Sequence, residues 1–273
     1  MPTCYRHPTR ETGVACSNCG RPICPDCMTP TTVGMRCPEC SKQRTRVVRP
    51  RAMAATTPIA TQVIIAINVL VYLAELATGG GFGSVSGGTV FDKGALFGPL
   101  VQHQSEWWRL VTSGFLHASV LHIGFNMFFV WMIGRSLEPA IGTARFVVAY
   151  GAALLCGSLG VLLFDFNSIA VGASGAAFGL LGALIAEARS RGIDLWSTGL
   201  IQIALFNFAF TFFYPGIAIG AHVGGFAGGL LVGVIYTECD RRRLPRSVSL
   251  AAGAAVGVIA FVAALVVASG HGP

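Results

Sequence analysis

Two stretches of the sequence decide the fold: residues 172–186 read GASGAAFGLLGALIA, and residues 216–236 read GIAIGAHVGGFAGGLLVGVIY. Both are apolar and predict membrane-spanning helices, and each holds one reactive polar residue near its start, Ser174 in the first and His222 in the second. An ionisable residue inside a membrane is costly and marks a candidate functional site. A serine nucleophile needs a base to take its proton, and histidine is the usual base. The pair therefore predicts hydrolysis below the membrane surface.

The composition is typical of a membrane protein with a separate polar start. Of 273 residues, 53% are hydrophobic and 11% are charged, which is too few charges for an ordinary soluble domain. The first 51 residues contain nine of the 19 Lys and Arg residues and seven of the nine cysteines. This polar, cysteine-rich start is not expected to act as a cleavable signal peptide. We expect a small soluble domain, a basic linker and a polytopic membrane domain.

Seven apolar runs predict membrane-spanning helices. A span needs about 20 residues, and the fourth run is shorter, which is acceptable if its outer end lies in a protein-lined cavity rather than in lipid. The runs are 58–77, 119–135, 146–164, 174–188, 195–213, 217–237 and 249–269. The predicted fold is an all-α polytopic membrane bundle with seven transmembrane helices, preceded by a small metal-binding module.

The distribution of basic residues predicts the orientation, because cytoplasmic loops contain an excess of Lys and Arg. With the N-terminus in the cytoplasm, 13 basic residues of the linker and the inside loops fall on the cytoplasmic side, and only Lys93 and Arg109 fall outside. The 13 are Lys42, Arg44, Arg46, Arg49, Arg51, Arg135, Arg145, Arg189, Arg191, Arg241, Arg242, Arg243 and Arg246. We therefore expect a multi-pass protein of the cell membrane, with a cytoplasmic N-terminus and an extracytoplasmic C-terminus.

Under this topology, polar residues from three predicted helices converge near the extracytoplasmic face. They are His122 and Asn126 on the second span, Ser174 on the fourth and His222 on the sixth. Small residues let the backbones of membrane helices approach closely. Glycines recur at every fourth position beside the two reactive residues, which favours a short contact between them: Gly175 and Gly179, then Gly225, Gly229 and Gly233.

With these motifs the chain resembles the rhomboid family of intramembrane serine proteases, over roughly residues 58–238. A lone GxSG would be weak support, but here several motifs follow one another in order. They are Trp108-Arg109, His117, His122-x-x-x-Asn126, Gly134 through Glu138 to Gly142, Gly172-Ala173-Ser174-Gly175, and Ala221-His222-x-x-Gly225-x-x-x-Gly229. The last span resembles the six-plus-one arrangement of some members.

The resemblance implies a role for each of these positions. Ser174 is the expected nucleophile and His222 the general base and then acid, acting as a dyad, since no acidic residue falls in mid-membrane. His122 and Asn126 share a helix face and, with the backbone N–H of Ser174, are the expected oxyanion hole. Phe178 replaces a frequent tyrosine, and its ring should still stack on His222. Support of the site is expected from His117, Phe178, Gly172, Gly175, Gly225, Trp108, Arg109 and Glu138.

The cysteine pattern near the N-terminus predicts two structural zinc sites. Four pairs of ligands supply eight in total, enough for two tetrahedral ions with no open position, and the metal would provide the folding energy of so short a segment. The pairs are Cys4-x2-His7, Cys16-x2-Cys19, Cys24-x2-Cys27 and Cys37-x2-Cys40. The preferred pairing joins the first with the third and the second with the fourth, which resembles B-box or RING-like fingers; sequential pairing is the alternative.

The sequence therefore predicts an intramembrane serine endopeptidase that cleaves transmembrane segments of membrane proteins near the extracytoplasmic face, without a catalytic cofactor. The alternatives are a catalytically inactive rhomboid-like protein that binds transmembrane clients and, less favoured, a transporter. A cytoplasmic protein is the expected partner of the finger, and nucleic acid is not expected.

The expected domains are a cytoplasmic double zinc finger at 1–41, a basic, membrane-anchoring linker at 42–57, a six-helix catalytic core at 58–238, and a basic loop with an extra transmembrane helix at 239–273.

Overall fold

The computed structural model describes most of the chain, in the ranges 1–42, 57–79, 81, 87–213 and 216–270. It divides the chain into two compact units, Met1–Ala55 and Thr56–Pro273. The predicted basic linker lies outside the described residues, apart from Lys42 and Thr57 at its two ends.

The N-terminal unit is built from short elements around cysteine side chains. Strand β1 (Thr29–Thr31) pairs with the antiparallel strand β2 (Gly34–Arg36), between a 3-10 helix (Pro25–Cys27) and the short helix α1 (Pro38–Ser41). Proline begins each of these helices, at the position where its missing N–H costs nothing. Ile23 is fully buried together with six cysteines, so sulfur atoms occupy the place of a larger apolar core.

The second unit is a helical bundle with three short helices between its first two long ones. The helices are α2 (Ile59–Ala77), α3 (Thr89–Gly94), α4 (Gly98–Gln104), α5 (Arg109–Thr112), α6 (Val120–Ile141), α7 (Thr143–Phe164), α8 (Ser174–Ser190), α9 (Leu200–Phe213), α10 (Ile219–Arg241) and α11 (Arg246–Gly270). The seven longest correspond in order to the seven predicted spans. Among the described residues, α2, α6, α7, α10 and α11 are long and apolar enough to cross a membrane, whereas α9 is apolar but short.

Helix α8 lies inside the bundle. Of its 17 residues, 12 are buried, which suits a helix that is apolar on every side. Helix α10 packs against it through backbone contact: a Cβ on Gly225 would collide with the carbonyl of Gly175, and one on Gly229 with the carbonyl of Gly179. The close packing predicted from these glycines is confirmed, and α8 can be shorter than a full span because other helices cover it.

The loop predicted between the second and third spans is almost absent, which corrects the sequence-based boundaries. Helix α6 continues to within one residue of α7, so Arg135 and Arg145 lie on helices, and Gly142, at φ +86°, forms the turn. Arg145 is buried, and its guanidinium pairs with the carboxylate of Asp240 at an N–O distance of 2.7 Å. An ion partner removes much of the cost of burying this charge. The sequence-based prediction treated charged residues as span ends, so it left Arg145 outside the third span.

Helix α9 begins at Leu200, five residues later than predicted. The main-chain carbonyl of Asp194 accepts hydrogen bonds from the hydroxyls of Ser197 and Thr198, at 3.1 and 2.9 Å. Gly199 then adopts φ +78°, a left-handed conformation outside the helical region. Local side-chain bonds thus compete with helix formation before Leu200.

Glu138 joins the ends of three helices. Its carboxylate accepts hydrogen bonds from the backbone N–H groups of Ala60 and Thr61, at 2.9 and 2.8 Å, in the first turn of α2. These donors lack partners within their own helix, and a negative charge is favourable there. The hydroxyl of Thr143, at the start of α7, donates to the same carboxylate at 2.9 Å. This cluster lies about 24 Å along α6 from His122, at a rise of about 1.5 Å per residue, so Glu138 supports the opposite end of the bundle.

Candidate active site

Ser174 and His222 lie within hydrogen-bonding distance of each other. The Oγ atom of Ser174 is 2.7 Å from Nε2 of His222. Ser174 is the first residue of α8 and His222 is in the first turn of α10, so the glycine-mediated packing of these two helices determines the contact. His222 is buried. This geometry meets the requirement for a nucleophile beside its base.

The imidazole of His222 is held by two further side chains. The ring of Phe178, one helical turn after Ser174, stacks on it with centroids 4.2 Å apart and planes at 14°, as expected from the sequence. The Oγ1 atom of Thr211 lies 2.7 Å from Nδ1 of the same imidazole. Thr211 was not predicted. The available signal was a hydroxyl residue within the apolar, phenylalanine-rich end of α9.

Gly172 brings the chain that leads to Ser174 against His122. Its φ of +123° is a conformation that other residues rarely adopt, and a Cβ there would lie 2.8 Å from Nε2 of His122 and 3.7 Å from Oγ of Ser174. The N–H of Gly172 donates to the carbonyl of Ser113 at 2.9 Å. The imidazole of His122 and the hydroxyl of Ser174 therefore border the same space beside Gly172.

The expected oxyanion donors lie around this space. Nδ1 of His122 accepts a hydrogen bond from the N–H of Ala118 at 3.4 Å, which leaves Nε2 as the donor nitrogen. The buried side-chain amide of Asn126 donates to the carbonyl of His122 at 2.9 Å, and its nitrogen has a second hydrogen. The N–H of Ser174 is in the first turn of α8, where N–H groups have no acceptor within the helix.

His117 fixes the loop that precedes α6. It is fully buried, and its ring lies 5.2 Å from that of His122 in an edge-to-face arrangement. Its backbone N–H donates to the carboxylate of Glu75, at 3.1 Å for the nearer oxygen, whereas its ring nitrogens have no hydrogen-bond partner among the described residues. Burial, and to a smaller extent the nearby His122, lowers the pKa of His117 to about 3, so this ring is neutral at pH 7.

Trp108 and Arg109 lie away from the Ser174–His222 pair and hold the first loop. The indole N–H of Trp108 donates to a carbonyl of α3 at 3.0 Å, and the guanidinium of Arg109 donates to the carbonyl of Ala95 at 2.6 Å. The next residue, Leu96, forms an antiparallel bridge with Ala170, at N–O distances of 3.1 and 2.9 Å. The first loop therefore supports the segment that leads to Ser174.

The eight candidate metal ligands form two separate clusters in the N-terminal unit. Within each cluster the ligand atoms lie within 4.8 Å of one another. One cluster is Cys4, His7, Cys24 and Cys27, and the other is Cys16, Cys19, Cys37 and Cys40. This is the interleaved pairing and not the sequential alternative.

The spacing inside the clusters suits a tetrahedral zinc ion. Nδ1 of His7 lies 3.3 Å from Sγ of Cys24 and 3.5 Å from Sγ of Cys27. Zn–S bonds of about 2.3 Å in tetrahedral geometry place neighbouring sulfurs about 3.8 Å apart, and sulfur and nitrogen slightly closer. In the second cluster the N–H of Cys37 donates to Sγ of Cys16 at 3.3 Å, a bond that stabilises a ligating thiolate. Each cluster can therefore hold one metal ion.

The sequence also matches known proteins. Residues 104–239 match the family model described as Rhomboid domain. The chain is 35% identical to Rhomboid protease GluP of Bacillus subtilis (strain 168) over 175 residues, which are 63% of this chain and 34% of that protein. It is 33% identical to Rhomboid-like protease 1 of Toxoplasma gondii over 174 residues, covering 61% of this chain and 59% of that protein.

A shorter relative is covered more completely. Putative rhomboid protease YdcA of Bacillus subtilis (strain 168) is 32% identical over 142 residues, which are 50% of this chain and 71% of that protein. The chain thus spans less than two thirds of the first two relatives and more than two thirds of this one. The match to the family model includes Ser174 and His222, all of α8 and nearly all of α10. Together with its apolar helical bundle, these matches make this a multi-pass membrane protein that belongs to the rhomboid family.

Proposed function

We propose that the chain is an intramembrane serine endopeptidase that cleaves transmembrane segments of membrane proteins through an acyl-enzyme. The observation that carries the proposal is the 2.7 Å contact between Oγ of Ser174 and Nε2 of His222, made between two helices of a membrane bundle. The names of the relatives, which are proteases in each case reported above, support the same reaction class.

The geometry suits two successive proton transfers through one imidazole. Nε2 of His222 takes the proton of Ser174 as Oγ attacks the carbonyl carbon of the scissile bond, and then gives that proton to the departing amine. The product is an ester between Ser174 and the substrate carbonyl. In the second half, His222 deprotonates a water that attacks this ester, and the returned proton regenerates the serine hydroxyl.

Negative charge on the carbonyl oxygen is stabilised by donors beside Gly172. The proposed donors are Nε2–H of His122, the amide of Asn126 and the backbone N–H of Ser174. Each has a hydrogen that the hydrogen bonds described above do not use. Such donors typically contribute about 2.7–4 kcal/mol each to transition-state stabilisation. The partial positive charge at the N-terminus of α8 adds to this stabilisation.

The proposed site opens to the extracytoplasmic side. Ser174 and His222 lie at the starts of α8 and α10, whereas arginines gather at the other ends of these helices. There, Arg191 donates to the carbonyl of Ala140 and Arg246 to that of Ile141, both at 3.1 Å. Because basic residues favour the cytoplasmic side, we infer a cytoplasmic N-terminus and cleavage near the outer end of the substrate helix.

A serine-reactive fluorophosphonate probe tests this proposal directly. We expect the purified full-length chain to be labelled covalently at Ser174, because the adjacent imidazole activates that hydroxyl. Labelling is measured by in-gel fluorescence and located by mass spectrometry. Ser174→Ala should lose the label, and Ser190→Ala, at the far end of the same helix, should keep it. A folded wild-type chain without label would refute the proposal and favour an inactive family member that binds transmembrane clients.

We also propose that the N-terminal unit binds two structural zinc ions. Each cluster offers four ligands, which fill tetrahedral coordination and leave no position for a substrate or water. Without metal, the described part of the unit has little apolar core to fold around, since mainly Ile23 and six of the seven ligand cysteines are buried. Zinc binding therefore supplies the folding energy of this unit.

We expect two zinc ions per full-length chain, measured by elemental analysis after gel filtration. Cys24→Ser removes a ligand from the first cluster and should reduce the content to one zinc or fewer. Cys156→Ser, which alters a cysteine of the membrane bundle outside both clusters, is the matched control and should retain two. A wild-type chain that contains no zinc would contradict the eight-ligand assignment. A Cys24→Ser chain that keeps two zinc ions would contradict it as well.

A further inference from the structure

Thr211 is a buried hydroxyl on a helix that is otherwise largely exposed. Within α9 the buried residues are Ala204 and Thr211, which are seven residues apart and so lie on one face of the helix. Phe206 and Phe213 on the same helix are 73% and 87% exposed. The face that α9 turns toward the bundle therefore brings a hydroxyl group to the imidazole of His222, at 2.7 Å from Nδ1.

The hydrogen bonds of Thr211 determine which atom is the donor in its contact with His222. Its Oγ1 lies 2.8 Å from the carbonyl oxygen of Asn207, one turn earlier, and a carbonyl can only accept. A threonine hydroxyl has a single hydrogen, which this bond uses. The remaining contact, with Nδ1 of His222, therefore needs its hydrogen from the imidazole. Nδ1 is protonated and Nε2 has a free lone pair toward Ser174.

We propose that Thr211 is a positioning residue of the Ser174–His222 pair: its hydroxyl accepts the Nδ1–H of His222 and keeps Nε2 available as the base. The inference rests on the proposed function and adds to it the group that selects the tautomer. Phe178 fixes the plane of the imidazole by stacking, but a 180° rotation about the Cβ–Cγ bond would leave that plane unchanged and move both ring nitrogens. A hydrogen bond to one ring nitrogen prevents that rotation.

The same bond persists through the proposed reaction. When Nε2 takes the proton of Ser174, the imidazole becomes positively charged, and a hydrogen bond from a charged donor is stronger than one from a neutral donor. Thr211 thus stabilises the charged base without being ionised itself. Because Thr211 belongs to α9, the correct tautomer requires this helix to be packed against the bundle.

Substitutions that change only the hydroxyl test the role of Thr211. Thr211→Val keeps the shape and removes the acceptor, so kcat for a transmembrane substrate should fall about 10- to 100-fold, the effect of leaving a buried donor unpaired, with little change in KM. Thr211→Ser restores the hydroxyl and should keep most of the activity. Thr237→Val, which removes an exposed hydroxyl bonded within α10 at 3.0 Å, should behave as the wild type.

A spectroscopic measurement separates this inference from the proposed function. Nitrogen-15 NMR of the full-length chain with labelled histidine, assigned with His222→Gln, should show the Nδ1–H tautomer at His222. Thr211→Val should lose that preference. An Nε2–H tautomer in the wild type, or wild-type activity in Thr211→Val, overturns the role of Thr211 while leaving the proposed function intact. Absence of probe labelling in the wild type refutes the proposed function, and the tautomer still decides the role of Thr211.

Discussion

Replacing Ser174 or His222 by alanine is expected to lower cleavage of a transmembrane substrate by about 10⁴-fold or more, and the double variant should be no worse than either single one. The two side chains act as a unit, because Nε2 of His222 can activate only the hydroxyl that lies 2.7 Å away. Groups that act together give losses that do not add. The measurement is the initial rate of cleavage of a model substrate in detergent or liposomes, for the three variants and the wild type.

Matched controls separate a chemical loss from misfolding. Ser190→Ala changes a serine at the far end of α8, and His103→Ala changes an exposed histidine of α4. Both should cleave at the wild-type rate. Substantial cleavage by Ser174→Ala, or a double variant whose loss equals the product of the two single losses, would show that the two residues do not form a dyad.

The close contact between Ser174 and His222 could be predicted because few alternatives fit the sequence. Ser174 and His222 each interrupt an apolar run, and a membrane interior makes such interruptions costly. The glycines on the same helix faces then allow backbone contact, and Gly225 indeed meets the carbonyl of Gly175. Membrane burial and helical periodicity together are strong constraints, so the seven predicted spans correspond in order to the seven longest helices.

Thr211 was missed because its sequence context gave only a weak signal, a hydroxyl residue within an apolar run. A threonine in an apolar helix can satisfy its own hydroxyl with the carbonyl four residues earlier, and Thr211 does so with Asn207. Its second contact, to His222, depends on how α9 packs against α10. That packing involves only a few residues of α9, and no spacing in the sequence encodes it.

The error at Arg145 has a related cause. A charge inside an apolar run is normally a sign that the span has ended, and the predicted loop followed from that rule. The rule fails where a partner from a distant part of the chain neutralises the charge, as Asp240 does here. By contrast, the ligands of the finger were predicted from local Cys-x2-Cys and Cys-x2-His pairs, and the structure has the preferred interleaved pairing rather than the sequential alternative.

Gly229→Ala is expected to destabilise the bundle and to reduce cleavage strongly. A Cβ at this position would collide with the backbone carbonyl of Gly179, which cannot move aside as a flexible side chain could, so α10 must move away from α8. Overpacking of this kind typically costs about 1–3 kcal/mol and occasionally more. His222 lies seven residues earlier on the same helix face, so the displacement also lengthens its contact with Ser174. The midpoint temperature of thermal unfolding in detergent and the cleavage rate should both fall.

Gly151→Ala is the matched control for this effect. Gly151 lies within α7, and a Cβ there would meet nothing within 4 Å, so the substitution adds the same methyl group to a helix without a collision. Alanine is also the better helix former, by about 1 kcal/mol. We expect unchanged or slightly higher stability and normal cleavage. If Gly229→Ala matched this control in both measurements, backbone contact between α8 and α10 would not be what holds Ser174 and His222 together, and the geometry of the dyad would need another explanation.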